Sequence, residues 1–315
     1  MASLDFTASA RTAGLGVGFL SVYDNDLTLG LDNPSLIAPR ATGRVALNYA
    51  GVFRGGNFGS LAYAINSKQL GTFLFALRFN SYGTFTAYDE QEQWEGRFSA
   101  ADYMLSVGWG IAIDSAFSIG ATFKPVISQY ESYTAVALVF DLAASYASES
   151  RRFSASLLAR NIGSQIITFD QTTEKIPFEL AAEVSYKLER APFRLFLAAH
   201  QLQRWQLTYD DPLEPTTFYD PFTGETTTQS WVSRFFDNVG RHIAFGAEVY
   251  IGKRIFFDIG YNYRAAREIR SIDAFNLSAM SFGIGARLKR FEFVYSRNNY
   301  HLSQSPNYIS LSYTF

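Results

Sequence analysis

Cysteine is absent from the 315-residue chain, which excludes disulfides and thiolate chemistry and leaves the redox compartment open. No apolar run reaches the roughly eighteen residues that a spanning helix needs. Charge is nearly balanced, with 27 Lys and Arg against 29 Asp and Glu, so no basic field points to nucleic acid as a partner. Histidine is scarce: His200, His242 and His301 are far apart, and no H-x-x-H or H-E-x-x-H spacing exists, so no metal or other cofactor is expected. G-x-S-x-G and P-loop motifs are missing too, and the chain is expected not to be an enzyme. The opening "MASLDFTASARTAG" lacks a basic n-region and an apolar h-region, so a signal peptide is expected to be absent from this chain.

Aromatic residues and glycine are what the chain has in plenty: 29 Phe, 19 Tyr and 23 Gly. In "YMLSVGWGIAI" every second residue from Tyr103 to Ile113 is bulky and apolar, whereas Met104, Ser106, Gly108, Gly110 and Ala112 lie between them. A half-buried strand of a soluble protein would oppose apolar residues with charged ones. The same scheme recurs in "TAVALVFDLAASY", "FELAAEVSYKL", "HIAFGAEVYI", "IFFDIGYNY", "MSFGIGARL" and "YISLSYTF", with such charges as occur kept to one face.

Fourteen segments of this kind run at 43–50, 57–66, 71–80, 101–113, 116–129, 133–146, 151–161, 178–188, 192–206, 240–252, 254–264, 278–288, 290–297 and 306–315. Tight turns at 67–70, 114–115, 147–150, 189–191, Lys253 and Lys289 alternate with long polar loops at 81–100, 162–177, 207–239, 265–277 and 298–305, and with shorter links near 51–56 and 130–132. Lipid cannot hydrogen-bond a backbone, so a sheet in a membrane must close on itself, with apolar residues outward and aromatics at the interfaces. The expected fold is therefore all-β: a transmembrane antiparallel β-barrel of 14 strands over 43–315, integral to a bacterial outer membrane. A soluble β-sandwich also alternates, but would not keep its charges off one face of fourteen segments. The closing strand ends on Phe315, the aromatic terminus that bacterial barrel-assembly machinery generally reads.

Residues 1–42 do not alternate and are rich in glycine and small residues. Leu15, Phe19, Leu20, Val22, Leu27, Leu29, Leu31, Leu36 and Ile37 are too many apolar residues for a disordered tail, so a plug inside the barrel is expected. "GLGVGF" has no βαβ context for a dinucleotide, and its glycines are read as permitting close packing on the barrel wall. "DND", Asp24 to Asp26, lacks the Gly and Glu of a calcium loop and is read as a capped turn. The inward charges Arg78, Lys124, Asp141, Glu183, Lys187, Glu248, Asp258 and Arg287 have mixed sign, which favours mutual neutralisation or bonding to the plug over a selectivity ring. The longest loop carries Tyr209, Phe218, Tyr219, Phe222 and Trp231 among Pro and Asp turns. These are candidate partner-binding residues of an extracellular contact surface; a loop folded over the barrel mouth is the equal alternative. A lipid hydrolase with Ser near His200 or His301 at the rim is a remote third possibility.

The pieces Ser9-Ala10-Arg11, Tyr23 to Leu36, "FSAADY…VGWG" (Phe98 to Gly110), "SQYESY" (Ser128 to Tyr133) and Leu202 to Pro212 carry a family likeness. Through them the chain resembles, over nearly its whole length, the PorQ family of type IX secretion system barrels of the Bacteroidota. More distantly it is similar to the FadL group of fourteen-stranded channels for hydrophobic compounds, which have an N-terminal hatch and a lumenal Asn-Pro-Ala motif; Asn33-Pro34-Ser35 stands there in this chain. The resemblance implies a non-catalytic component of an attachment complex that processes secreted cargo and joins it to lipopolysaccharide. It implies a PorZ-like surface protein as the partner held at the membrane, with PorU- and PorV-like components reached through it, and contact with outer-membrane lipids or lipopolysaccharide. A FadL-type channel is the alternative function.

Overall fold

The computed structural model describes residues 1–24, 26–52, 56–170, 173–208, 217–219, 226–228, 230–268, 279–299 and 305–315. Its strands are β1 (Arg44–Val52), β2 (Gly56–Ser67), β3 (Gly71–Tyr88), β4 (Trp94–Ala112), β5 (Phe117–Tyr130), β6 (Tyr133–Ala147), β7 (Phe153–Ile167), β8 (Glu179–Lys187), β9 (Phe193–Ala199), β10 (Thr217–Tyr219), β11 (Thr226–Thr228), β12 (Ile243–Ile251), β13 (Ile255–Asn262), β14 (Met280–Leu288), β15 (Phe291–Asn298) and β16 (Asn307–Thr314). Fourteen of them form one closed antiparallel barrel, and β10 and β11 pair separately. β1 closes the ring on β16, from Arg44 opposite Thr314 to Gly51 opposite Asn307. The Phe315 N–H extends the seam by donating to the Gly43 carbonyl.

Alternation decides which way each side chain points, because successive residues of a strand face opposite sides. Leu47, Leu61, Leu77, Leu105, Leu142, Leu157 and Phe245 point outward and are about half exposed, while Ala46, Ala62, Ala76, Ser106, Asp141, Ser156 and Glu248 point inward and are buried. The molecule is inside-out by the standard of a soluble fold: apolar bulk outside and charge within. That is the outer-membrane arrangement, with short periplasmic turns and long extracellular connections.

Four expectations are corrected. The supposed loop 81–100 is mostly strand: β3 and β4 stay paired from Gly83 opposite Ala100 out to Tyr88 opposite Trp94, well past the last pairings with their other neighbours. β9, expected to reach residue 206, stops at Ala199, because His200 turns inward onto Glu179 and the Val17 carbonyl and Gln201 takes a positive φ. The loops before β12 and after β13 hold the helices α2 (Trp231–His242) and α3 (Tyr263–Glu268). Residues 240–242, expected within the strand 240–252, belong to α2 instead, and His242, its last residue, is buried. Ser230 caps that helix, its Oγ accepting from the Val232 N–H at 3.3 Å.

Ile259 lies midway along the outer face of β13. An arginine there meets hydrocarbon, so Ile259→Arg is expected to cost about 2–4 kcal/mol in unfolding titrations from lipid vesicles. Ile259→Val should stay close to the parent, and an unchanged midpoint for the arginine variant would contradict the lipid-facing assignment.

Candidate functional site in the barrel lumen

Residues before β1 run inside the barrel, in one α-helix and several 3₁₀ turns. Helix α1 (Ala10–Leu15) is capped by Ser9, whose Oγ accepts from Thr12 N–H, and ends at Gly16 in the left-handed region with φ 65°. All six residues of α1 are buried. The helix lies against β13, β14, β15 and β16, and the Ala10 N–H donates to Ser310 Oγ at 2.9 Å. Backbone approach to the wall is close enough that a side chain at Gly260 would collide with the Leu15 carbonyl, and one at Gly120 with the Pro34 carbonyl.

Arg11 is the centre of the arrangement and is fully buried. Its Nε donates to Glu248 Oε2 at 2.7 Å and its Nη2 to Glu248 Oε1 at 2.9 Å, the bidentate fork that matches a carboxylate. Nη1 donates to Asp24 at 2.5 Å and stands 3.7 Å from Asp26. Arg287 of β14 reaches the same Asp24 at 3.0 Å and Glu292 of β15 at 3.0 Å. The Phe256 ring carries both guanidinium groups, at 5.2 and 4.9 Å from its centroid. Burial opposes the charge of Asp24, but Arg11 and Arg287 outweigh it and hold its carboxyl below the usual range. Burial, reinforced by the charge of Asp24, pushes Asp26 upward.

Asp24 and Asp26 thus belong to an ion-paired cluster: Asp24 Oδ1 accepts from the Asp26 N–H, and Asp26 caps the 3₁₀ turn Leu27–Leu31. Asn33, Pro34 and Ser35 fasten the segment to the opposite wall. Asn33 Nδ2 donates to the Leu20 carbonyl at 2.9 Å and to Ser156 Oγ at 3.1 Å, while its Oδ1 accepts from Ser35 N–H and Oγ. Ser35 pairs with Ser145 through their hydroxyls, and Ser118 Oγ donates to the Ser35 carbonyl at 2.8 Å. The segment is held on β5, β6 and β7 by uncharged bonds and on β12 and β14 by charged ones.

Of the remaining inward charges, Lys124, Asp141, Arg78 and Lys187 are held by specific partners. Lys124 pairs with Asp141 at 2.6 Å and donates to Asn161 at 2.8 Å, and Arg78 donates to the Leu31 carbonyl at 2.6 Å. Lys187 lies over the Tyr250 ring at 4.9 Å. Glu183 and Asp258 are buried beside the N-terminal segment, and among the described residues neither carboxylate has a hydrogen-bond partner. On the extracellular side of the segment is a cavity of about 590 Å³, lined by Thr7, Thr12, Arg160, Glu179, His200, Arg241, Arg264 and Glu268 among others. His200 Nδ1 faces Glu179 at 3.1 Å and Nε2 faces the Val17 carbonyl at 2.8 Å. His242 is likewise turned to the His200 and Trp205 carbonyls, so neither ring is set to activate a serine. His301 lies outside the described residues.

Of the loop aromatics, Tyr209 and Phe222 lie outside the described residues, and Phe218 and Tyr219 are placed by backbone alone, in β10. Trp231 opens α2 and is 77% exposed. Phe315 ends the closing strand, 73% exposed, with its ring edge-on to Tyr313. The partnership of Arg11 with Glu248 carries no sequence signal, because 237 residues separate the two; inward parity in β12 marks Glu248 alone.

Glu248→Ala would leave a buried guanidinium without its fork, a loss of about 3–5 kcal/mol. Amide exchange in α1 should rise by two to three orders of magnitude while the strands stay protected, and the double variant with Arg11→Leu should recover most of that protection.

No family model and no curated protein matches the chain. Solved structures do. The toluene transporter TodX of Pseudomonas putida aligns with a TM-score of 0.58 at 10% identity, covering 97% of this chain and 98% of that one. A Pseudomonas aeruginosa FadL homologue aligns at 0.51 and 11% identity, covering 98% and 99%. The monoaromatic hydrocarbon channel CymD aligns at 0.50 and 11%, covering 97% of each. The chain thus has the fold of the FadL-like fourteen-stranded outer-membrane barrels.

Proposed function

We propose that this protein is a closed, non-catalytic outer-membrane barrel that holds a surface protein at the cell exterior. The observation that carries the reading is the arm formed by β3 and β4. Gly83–Tyr88 and Trp94–Ser99 pair with each other beyond their last contacts with β2 and β5, so a two-stranded ribbon stands clear of the barrel. Its base is fixed by the Tyr82 hydroxyl, which donates to Asp102 at 2.7 Å, and its faces by Phe85 stacked on Phe98. Asp89, Glu90, Glu92 and Glu95 make the tip acidic, while Tyr88 and Trp94 are more than 60% exposed there. Beyond Ser99, an exposed ribbon whose edges have no strand partner among the described residues is a template for another protein's strand, and the acidic tip suits a partner with a cationic rim. Ion-paired packing of residues 1–42 in the lumen agrees with a plug that anchors rather than conducts. Within this reading, the sequence resemblance supports the type IX attachment complex, with a PorZ-like partner bringing PorU- and PorV-like components to lipopolysaccharide.

The comparisons favour a second reading, a FadL-type channel for hydrophobic small molecules, since the fold is shared almost end to end with TodX, CymD and the FadL homologue.

A pull-down of a PorZ-like protein by the purified barrel separates the two readings. Removing 86–95, or replacing Glu90, Glu92 and Glu95 with lysine, is expected to reduce capture at least tenfold with the barrel still heat-modifiable on gels. Undiminished capture would refute the arm as the dock, and toluene uptake by reconstituted vesicles above that of empty ones would establish the channel.

A further inference from the structure

Helix α2 has its polarity reversed relative to a helix on a soluble surface. At 3.6 residues per turn, Trp231, Val232, Phe235, Phe236 and Val239 fall on one arc, and Ser233, Asp237, Asn238 and Arg241 lie outside it; His242, the last residue, closes the helix. The polar residues of the second half of the helix, Asp237, Asn238, Arg241 and His242, are the ones that meet the protein. Asp237 accepts from Tyr263 and Arg241 at 2.8 Å each, Asn238 bonds the Leu207 N–H and the Trp205 carbonyl, and His242 bonds the carbonyls of His200 and Trp205. The apolar arc faces away, with Trp231 77%, Phe236 66%, Phe235 45% and Val232 41% exposed. A helix so turned has its polar groups satisfied inside and needs an apolar medium outside.

The neighbouring wall shows which medium. β9 has seven residues; at about 3.3 Å each and a tilt of roughly 40° it rises about 18 Å, short of the roughly 25 Å apolar band of an outer-membrane barrel. Above its outward residues Leu195 and Leu197, the surface continues through Leu202 and Trp205, both exposed, to Phe235, whose ring lies 5.9 Å from that of Trp205. Phe245 of β12 borders the same strip. We infer that α2 lies in the outer leaflet along the top of β9 and β12, its apolar arc inserted among the acyl chains and completing the lipid-facing band where the strands are too short. Trp231 is thereby assigned to lipid rather than to a protein partner. The assignment is independent of whether the barrel anchors a surface protein or conducts.

The absence of cysteine makes single-site spin labelling direct. Labels at Phe236→Cys and Trp231→Cys, with Glu92→Cys on the arm as the aqueous reference, are measured in phosphatidylcholine–phosphatidylglycerol vesicles holding the full chain and no other protein. Gel heat-modifiability confirms folding. The expected result is oxygen accessibility several-fold above that of the reference and access to a water-soluble nickel chelate several-fold below it. Chelate access at both labels equal to that at Glu92 would overturn the inference and return the apolar arc to a protein partner. A label at Leu197→Cys supplies a lipid-facing control on β9, so a failure of insertion is distinguishable from a failure of reconstitution.

Discussion

A backbone in hydrocarbon has no partner but itself, and every major feature of this molecule follows from that requirement. A closed ring of fourteen strands meets it, with the seam between β1 and β16 leaving no free edge at membrane depth. Closure sends alternate side chains to lipid and to the lumen, which is why apolar bulk collects outside and charge within. It also creates an interior too wide for strand side chains to fill. The described residues before β1 lie against the inner wall, and their polar groups are matched against it. Arg11, Asn33 and Ser35 are the residues where the matching is most complete.

The lumen wall is polar in a particular way. On the side of β5, β6 and β7 the segment meets hydroxyl groups; on the side of β12 and β14 it meets a carboxylate and a guanidinium group. Neutral bonds contribute modestly and tolerate small shifts, whereas a buried charged fork tolerates neither a missing partner nor a displaced one. The grip on the segment is therefore uneven, firm beside Glu248 and looser beside Ser145 and Ser156.

Strand number and face were legible in the sequence because alternation is a local signal repeated fourteen times. Where the chain left that pattern the reading lost its guide. The arm continues β3 and β4 into water, where both faces are solvated and "YGTFTAYDEQEQWEGRFSA" no longer sorts by polarity. The early end of β9 depends on His200 finding Glu179 and the Val17 carbonyl, contacts that no spacing announces. Helix α2 does leave a trace, Ser230 before a 3.6-residue apolar period, but a single short period inside a long polar loop is a weak signal beside the loop's aromatic content. Inward parity picked out Glu248, Asp258 and Arg287 one by one. Which of them meets Arg11 is a matter of three-dimensional closure.

The Arg11 fork also sets a chronology. Arg11 leaves the ribosome and enters the periplasm long before Glu248, and by the time β12 arrives nine earlier barrel strands have been delivered. A guanidinium cannot be threaded into a finished, narrow cylinder at low cost, so the N-terminal residues must already be in place when the last hairpin comes to rest. The cylinder is wrapped around its contents, and its final latch is set only when the tail end of the chain has arrived.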